Sequence, residues 1–395
     1  MGIAFIDLKT QFAQIESSVR KRMDDVLAHG RYIMGPEVAE LEKTLAEYVG
    51  AQHAVSCSSG TDALLLALMA RGIGPGDAVF TTPYTFVATA EVISLTGATP
   101  VFVDIDPATY NIDPSLLEQA LTAFDKGDPS LHPLPHNHDE LTAKAIIAVD
   151  MFGLPADYAR LTNMAEDRNL FLIQDAAQSF GSEFSGQRAG AFGDASATSF
   201  FPAKPLGCYG DGGMVFTNSD EIRDAMVSVR VHGKGVDKYD NVRVGLNARL
   251  DTLQAAVLLA KFERFPSEVE SRQKVAAAYA TGLDGLVGVP TVPEGRLSAW
   301  AQYTVRLGKH ASRRDEIQKQ LGAAGVPTAV YYGKPLHIQG AYAGLGYAAE
   351  DFPLSMQASS EVLSLPFSPD LDQASIDTVI RELANILEAV PTTAG

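Results

Sequence analysis

Cysteine is scarce in this chain: Cys57 and Cys208 are the only two in 395 residues. So few exclude a disulfide framework and the paired spacing of a metal knuckle. Long apolar runs are missing as well. The longest, ALLLALMA from Ala63 to Ala70, is stopped by Arg71 and is too short to span a bilayer. The N-terminal MGIAFIDLKTQ has no basic region ahead of an apolar one, and Ile6 stands where a myristoylation signal requires Ser or Thr. These absences predict a soluble, cytoplasmic protein with no membrane partner. Positive charge is in deficit. With 31 basic against 48 acidic side chains the net charge is -17, which argues against nucleic acid as a partner. No GxGxxG follows the first strand and no GxxxxGK[ST] occurs, so these two nucleotide-phosphate loops are not indicated.

What is present is the material of a large globular protein, 46% hydrophobic and 20% charged. Short apolar runs alternate with helix-period segments through the first two-thirds: HAVSC, AVFTT, PVFVD, AIIAVD and LFLIQD, with helices predicted from Thr61 and from Tyr84. EVAELEKTLAEYVG places Val38, Leu41, Leu45 and Val49 on one helix face and closes at Gly50. Such alternation predicts an α/β fold, a mostly parallel central sheet flanked by helices, with ligands bound at the carboxyl ends of strands. After Asn247 the texture changes. A long helical stretch breaks at Pro266, and the strand-like AQYTVRL and a helix from about Ser312 to Leu321 follow. The boundary is set near Phe265, giving a large domain over 1–265 and a smaller C-terminal α+β domain over 266–395.

Two segments stand apart from this pattern. DKGDPSLHPLPHNHDE, Asp125 to Glu140, carries His132, His136 and His138, but it is rich in turn residues and lacks metal-ligand spacing; no metal is expected. Arg230 to Arg249 holds Arg230, Lys234, Lys238, Arg243, Arg249 and His232 against Asp237 and Asp240. That segment is either a solvated loop or a docking site for a small anion on an acidic protein.

The stretch SFFPAKPLGCYGDGG, residues 199 to 213, raises the question of why Lys204 is fenced by Pro202 and Pro205 and followed by Gly207, Gly210, Gly212 and Gly213. The prolines fix φ and the glycines permit tight or left-handed backbone, so the amine is held in one place. Four strand-end features join it. CSSGTDALLLAL sets Ser58, Ser59, Gly60 and Thr61 at a strand-to-helix junction, either a phosphate cradle or a plain N-cap by Ser59 or Thr61. FLIQDAAQSFG ends a strand on Asp175, a carboxylate that needs a partner such as a protonated ring nitrogen, and places Gln178 just beyond. TTPYTFVATAE offers Phe86 for stacking on a planar ring or for the core, and Ser199 closes the ASATSF strand. A phosphate site, a ring-nitrogen carboxylate, a stacking face and a fixed amine together describe pyridoxal 5'-phosphate held as a Schiff base.

On FIDLKTQ, GRYIMGPEV, SSGTDAL, PYTFVATAE, VDIDPATYNID, IQDAAQSFGS, SFFPAKPLGCYGDGG, VGLNARLDTLQAA, AQYTVRL and SLPFSP, the chain resembles the DegT/DnrJ/EryC1/StrS family of sugar aminotransferases. The resemblance covers nearly the whole chain. It implies a fold-type-I pyridoxal-phosphate enzyme and a homodimer with shared active sites. By the same resemblance Lys204 carries the cofactor, Asp175 holds its ring nitrogen, Phe86 stacks on the ring and Gln178 lies near the ring hydroxyl. Gly60, Thr61 and Ser199 are then the phosphate ligands, with Asn247 reaching in from the second subunit. Lysine at position 204 favours transamination, because relatives with histidine there run dehydrations.

RQKVAAAYA, AQYTVRL and GVPTAVYY resemble most the group that uses L-glutamate to aminate UDP-2-acetamido-2-deoxy-3-oxo-glucuronate at C3, in amino-sugar or surface-polysaccharide biosynthesis. Aminotransferases of dTDP- or GDP-linked 6-deoxy 3-keto or 4-keto sugars share most other motifs. Two features depart from the first group: the Asp125 to Glu140 loop is longer, and Tyr331 stands where histidine is expected. Tyr331, the adjacent Tyr332 and Arg249 are the expected substrate contacts. The competing readings are a dehydratase on such sugars and a non-catalytic relative that serves as sensor or scaffold.

Overall fold

The computed structural model describes residues 3–237 and 239–389; Lys238 of the basic segment and the two chain ends lie outside them. Nine strands are formed up to residue 217: β1 His53–Cys57, β2 Asp77–Thr81, β3 Thr99–Phe102, β4 Thr142–Val149, β5 Phe171–Asp175, β6 Glu183–Phe184, β7 Gln187–Arg188, β8 Ala195–Ser199 and β9 Gly213–Thr217. Seven of them build the main sheet, in the order β1-β9-β8-β5-β4-β2-β3. Strand β9 runs antiparallel to both β1 and β8, and the other pairings in this sheet are parallel. The carboxyl ends of β1, β2, β4, β5 and β8 therefore share one edge.

The near-continuous apolar strands are explained by burial on both faces. Ala145 and Ile147 of β4 pack with Leu64, Leu66 and Val92 on one side. Ile146 and Ala148 pack with Leu117, Leu121 and Leu161 on the other. The helices supplying those residues are Gly60–Ala70 and Ala88–Leu95 on the first face, and Pro114–Lys126 and Tyr158–Arg168 on the second. Each fully buried side chain such as Leu66 or Ile147 contributes about 1.5–3 kcal/mol of hydrophobic stabilisation.

Beyond the sheet, helix Thr252–Phe262 stops short and helix Phe265–Leu283 starts with Pro266 in its first turn, where no backbone N–H is required. Phe265 packs with Phe180 and Phe200 under the main sheet, whereas Val275, Tyr279 and Leu283 belong to a second core. That core lies on β11 Tyr303–Arg306 and β12 Val362–Leu365, an antiparallel pair, with β10 Arg296–Leu297 pairing back to β6. Helices Arg314–Ala323 and Gln373–Glu388 complete it.

Two local readings are corrected and one, the tight or left-handed backbone of the lysine turn, is narrowed to its first alternative. The helix expected from Tyr84 begins at Ala88. Pro83 and the bond from Tyr84 N to Thr82 Oγ1 (3.1 Å) hold the preceding residues in a turn, which frees Phe86 from helical packing. None of Gly207, Gly210, Gly212 and Gly213 has left-handed backbone. They are needed for close approach: a Cβ on Gly207 would lie 2.6 Å from the carbonyl oxygens of Phe201 and Pro202. Arg230 is no part of an anion site, for it is buried and its Nη1 donates to Glu42 (2.6 Å) and to the Ser56 carbonyl (2.8 Å).

Candidate active site

At the carboxyl edge of the sheet lies a cavity of about 430 Å³. One part of its wall comes from the junction between β1 and helix Gly60–Ala70. Ser59 is the N-cap, accepting from Asp62 N at 3.0 Å. The N–H groups of Gly60 and Thr61 are left without intrahelical acceptors, at the positive end of an eleven-residue helix. Ser199, the last residue of β8, sits so close that a Cβ on Gly60 would meet the Ser199 Cβ at 2.6 Å. The plain-cap alternative thus accounts for Ser59, and Gly60, Thr61 and Ser199 remain turned to the cavity.

Asp175 ends β5 with only 5% of its surface exposed. Its Oδ2 accepts from Thr89 Oγ1 at 2.9 Å and its Oδ1 from Ala177 N at 3.2 Å. Thr89 is in turn bonded to Thr85, in the turn ahead of the helix, at 3.1 Å. Burial pushes the Asp175 carboxyl above its ordinary range, against the two hydrogen bonds and the Lys204 charge that draw it down. The Lys204 amine is shifted the opposite way: burial lowers it, and Asp175 partly offsets that. The lysine turn is pinned by Lys204 N donating to Phe201 O at 2.9 Å.

Phe86 is 53% exposed, and its ring lies 6.2 Å from that of Tyr332 at 41°. Core packing does not account for an aromatic placed like this at a cavity wall. Gln178 is fixed at both ends of its amide: Oε1 accepts from Phe152 N at 2.8 Å, and Nε2 donates to Tyr332 Oη at 3.3 Å. Tyr331 also lines the cavity, its carbonyl accepting from the Tyr84 hydroxyl at 2.7 Å.

Nine of the expected site residues are thus brought together: Lys204, Asp175, Gly60, Thr61, Phe86, Gln178, Ser199, Tyr331 and Tyr332. Asn247 and Arg249 do not line this cavity, although Ala248 O accepts from Ser58 N at 3.2 Å, so their segment runs close behind the cradle. Arg249 Nη2 bonds to Asn247 Oδ1. The Asp125 to Glu140 loop turns two imidazoles to backbone, His132 to Phe102 O (2.8 Å) and His138 to Pro135 O (3.1 Å). Sequence reasoning missed Thr89, Asp211 and Gln302 as wall residues. For Thr89 the signal was available, since Thr85 and Thr89 are four apart at a helix start beside Phe86.

One small molecule uses all of these groups at once. Pyridoxal phosphate has a phosphate suited to the cradle, a ring nitrogen suited to Asp175, a flat face suited to Phe86 and an aldehyde suited to Lys204. The residues present fit it, and fold and cavity together define a fold-type-I pyridoxal-phosphate enzyme. The chain belongs to the DegT/DnrJ/EryC1/StrS aminotransferase family, whose profile matches residues 13–384. It is similar to the UDP-2-acetamido-2-deoxy-3-oxo-D-glucuronate aminotransferase of Pseudomonas aeruginosa, 46% identical over 97% of this chain and 100% of that protein. The crystal structure of a DegT DnrJ EryC1 StrS aminotransferase from Brucella abortus superposes with a TM-score of 0.92, at 49% identity over 98% of this chain and 100% of that one. A Bacillus subtilis relative solved with bound cofactor PMP, NtdA, gives a TM-score of 0.82 at 26% identity, covering 97% of this chain and 83% of its own. The protein is a pyridoxal-phosphate-dependent sugar aminotransferase.

Proposed function

We propose that this enzyme transfers the amino group of L-glutamate to C3 of UDP-2-acetamido-2-deoxy-3-oxo-glucuronate. The observation that carries the reaction is Lys204 facing Asp175 in one cavity beside a helix N-terminus. The likeness to the P. aeruginosa enzyme supports the sugar. Lys204 would hold the cofactor, take the proton from the glutamate carbon in the first half-transfer and deliver one to the sugar C3 in the second. Asp175, oriented by Thr89, keeps the ring nitrogen protonated. Phe86 fixes the ring plane, Gln178 meets the ring hydroxyl, and Gly60, Thr61 and Ser199 bind the phosphate. When bound, the cofactor supplies the electron sink that both half-transfers need. Tyr331 and Tyr332 contact the sugar.

The working unit is a homodimer in which Asn247 and Arg249 complete the neighbouring site. Its support is an apolar arm next to them, with Val236, Val242 and Val244 exposed at 100%, 57% and 85%. Two buried free thiols, Cys57 and Cys208, suit a reducing cytoplasm.

The test is the visible spectrum of the purified holoenzyme before and after glutamate, followed by a panel of nucleotide keto sugars. The lysine-linked band is expected to fall with glutamate and to return with the UDP-linked uronate. A return with dTDP- or GDP-linked 6-deoxy sugars alone would move the assignment to that group, and no response to glutamate would sink the aminotransferase reading.

Charge makes a further prediction. Both substrates are polyanions, the protein carries a net charge of -17, and the cation lining the cavity among the described residues is Lys204. A guanidinium from the neighbouring subunit supplies what is missing, through two parallel hydrogen bonds to a carboxylate. Arg249→Ala is expected to lower kcat/KM for the uronate by roughly 10- to 100-fold, with Arg249→Lys recovering only part of it. A 6-deoxy counterpart and a glutamate titration decide which carboxylate is read. Loss confined to the uronate places Arg249 on the sugar, and an equal loss with a raised glutamate KM places it on the donor. Unchanged kinetics return Arg249 to a structural role.

A further inference from the structure

Gln302 stands one residue ahead of β11, in the wall of the same cavity. The side chain also borders a smaller void of about 20 Å³ walled by Tyr110, Phe152 and Trp300. Its Oε1 is buried and has no hydrogen-bond partner among the described residues. The other amide at the site, Gln178, is bonded at both ends. A buried acceptor without a donor is rare in native structures, and beside a ligand cavity the ligand is the natural source of that donor.

The two reactants differ in what they can offer. Both carboxylates of glutamate only accept hydrogen bonds, and its one donor, the amine, must face the reacting carbon at Lys204. The 2-acetamido-3-oxo-glucuronate ring carries one hydroxyl, at C4, and an amide N–H. We infer that Gln302 is a specificity-determining residue for the sugar, its Oε1 accepting a hydrogen bond from a ring hydroxyl or the acetamido N–H. This inference rests on the aminotransferase reading given above. A site built to pair with a polar group rejects analogues lacking it far more strongly than an apolar wall discriminates by size.

The two half-reactions separate the possibilities. Holoenzyme is first converted with glutamate, followed as loss of the lysine-linked visible band. UDP-2-acetamido-2-deoxy-3-oxo-glucuronate is then added and the return of the band is timed. Gln302→Leu, close in volume but apolar, is expected to leave the glutamate step within about twofold and to slow the sugar step by roughly 10- to 100-fold in its second-order rate constant. Gln302→Asn keeps an amide one methylene shorter and is expected to fall between wild type and Gln302→Leu. An intact glutamate step also shows that each variant is folded and loaded.

Two analogues then identify the donor, a 4-deoxy sugar and an N-methylacetamido sugar. Wild type is expected to discriminate against one of them, and Gln302→Leu against neither. Equal slowing of both half-reactions in both variants, or no slowing in either, overturns the inference. A void of this size can hold one water, and Ser298 and Thr304 on its wall can bind it. A sugar-bound crystal structure in which that water alone satisfies Oε1 overturns it too. Wild type that fails to respond to glutamate sinks the aminotransferase reading instead, an outcome distinct from a defect confined to the variants.

Discussion

Lys204→Ala is expected to abolish transamination, with kcat falling by at least roughly 10³-fold while the fold persists. The size of the loss follows from the cavity wall. Lys204 is the one amine among the described residues lining it, so no neighbour can take over as proton carrier or cofactor link. Stability should change little, within about 1 kcal/mol, because the side chain is only partly buried, and the positive charge lost from beside Asp175 is offset by relief of the lysine's own desolvation. The burial that depresses the amine's basicity is itself an unfavourable contribution to folding, which the substitution relieves. Two measurements check this: steady-state turnover with glutamate and the keto sugar, and the thermal midpoint. Cofactor is expected to remain bound through its phosphate while the visible band of the lysine-linked form disappears. Substantial turnover with that band retained would remove Lys204 from its role.

Much of the architecture could be read ahead of the coordinates because the strands are buried on both faces. AIIAV in β4 is apolar without alternation, and the structure gives Ala145, Ile146, Ile147 and Ala148 alternately to opposite cores, with Val149 at the cavity wall. Lys204, Asp175 and the Ser59 to Thr61 junction were legible for a related reason. Each lies at the end of an apolar strand or in a turn fixed by proline and glycine, so local sequence already determines position. Thr89 and Gln302 were harder to see, because their significance depends on what stands opposite. A threonine in the first turn of a helix is ordinary until Asp175, 86 residues away, is found 2.9 Å from its hydroxyl. A glutamine just ahead of a buried strand is ordinary until it is found on the walls of both cavities. The misplaced helix start near Tyr84 has a similar origin. Apolar spacing extends through Phe86, but Pro83 and the Thr82 side chain impose a turn that periodicity cannot register.

Asp175→Asn is expected to keep the cofactor and the fold and to lower kcat by roughly 10²- to 10⁴-fold. Thr89 Oγ1 and Ala177 N bond different carboxylate oxygens, so the amide keeps its oxygen toward Ala177 N while its NH2 can donate to the Thr89 hydroxyl, and geometry is largely conserved. What it cannot do is carry a negative charge opposite a protonated ring nitrogen, the interaction on which the electron sink depends. Burial raises the pKa of the carboxyl, and the Thr89 hydroxyl, the Ala177 N–H and the Lys204 charge act in the other direction. Thr89→Val removes one of those supports without touching the charge, and a milder loss of about tenfold is expected from it. The comparison separates charge from orientation. If charge at the ring nitrogen is what matters, Asp175→Asn loses far more than Thr89→Val, the loss lies in kcat, and KM for either substrate moves little. Similar losses in the two variants would mean that positioning by hydrogen bonds dominates. Near-normal kcat in Asp175→Asn would pass the role to another group, and Asp211, the other acid lining the cavity, is the next to substitute.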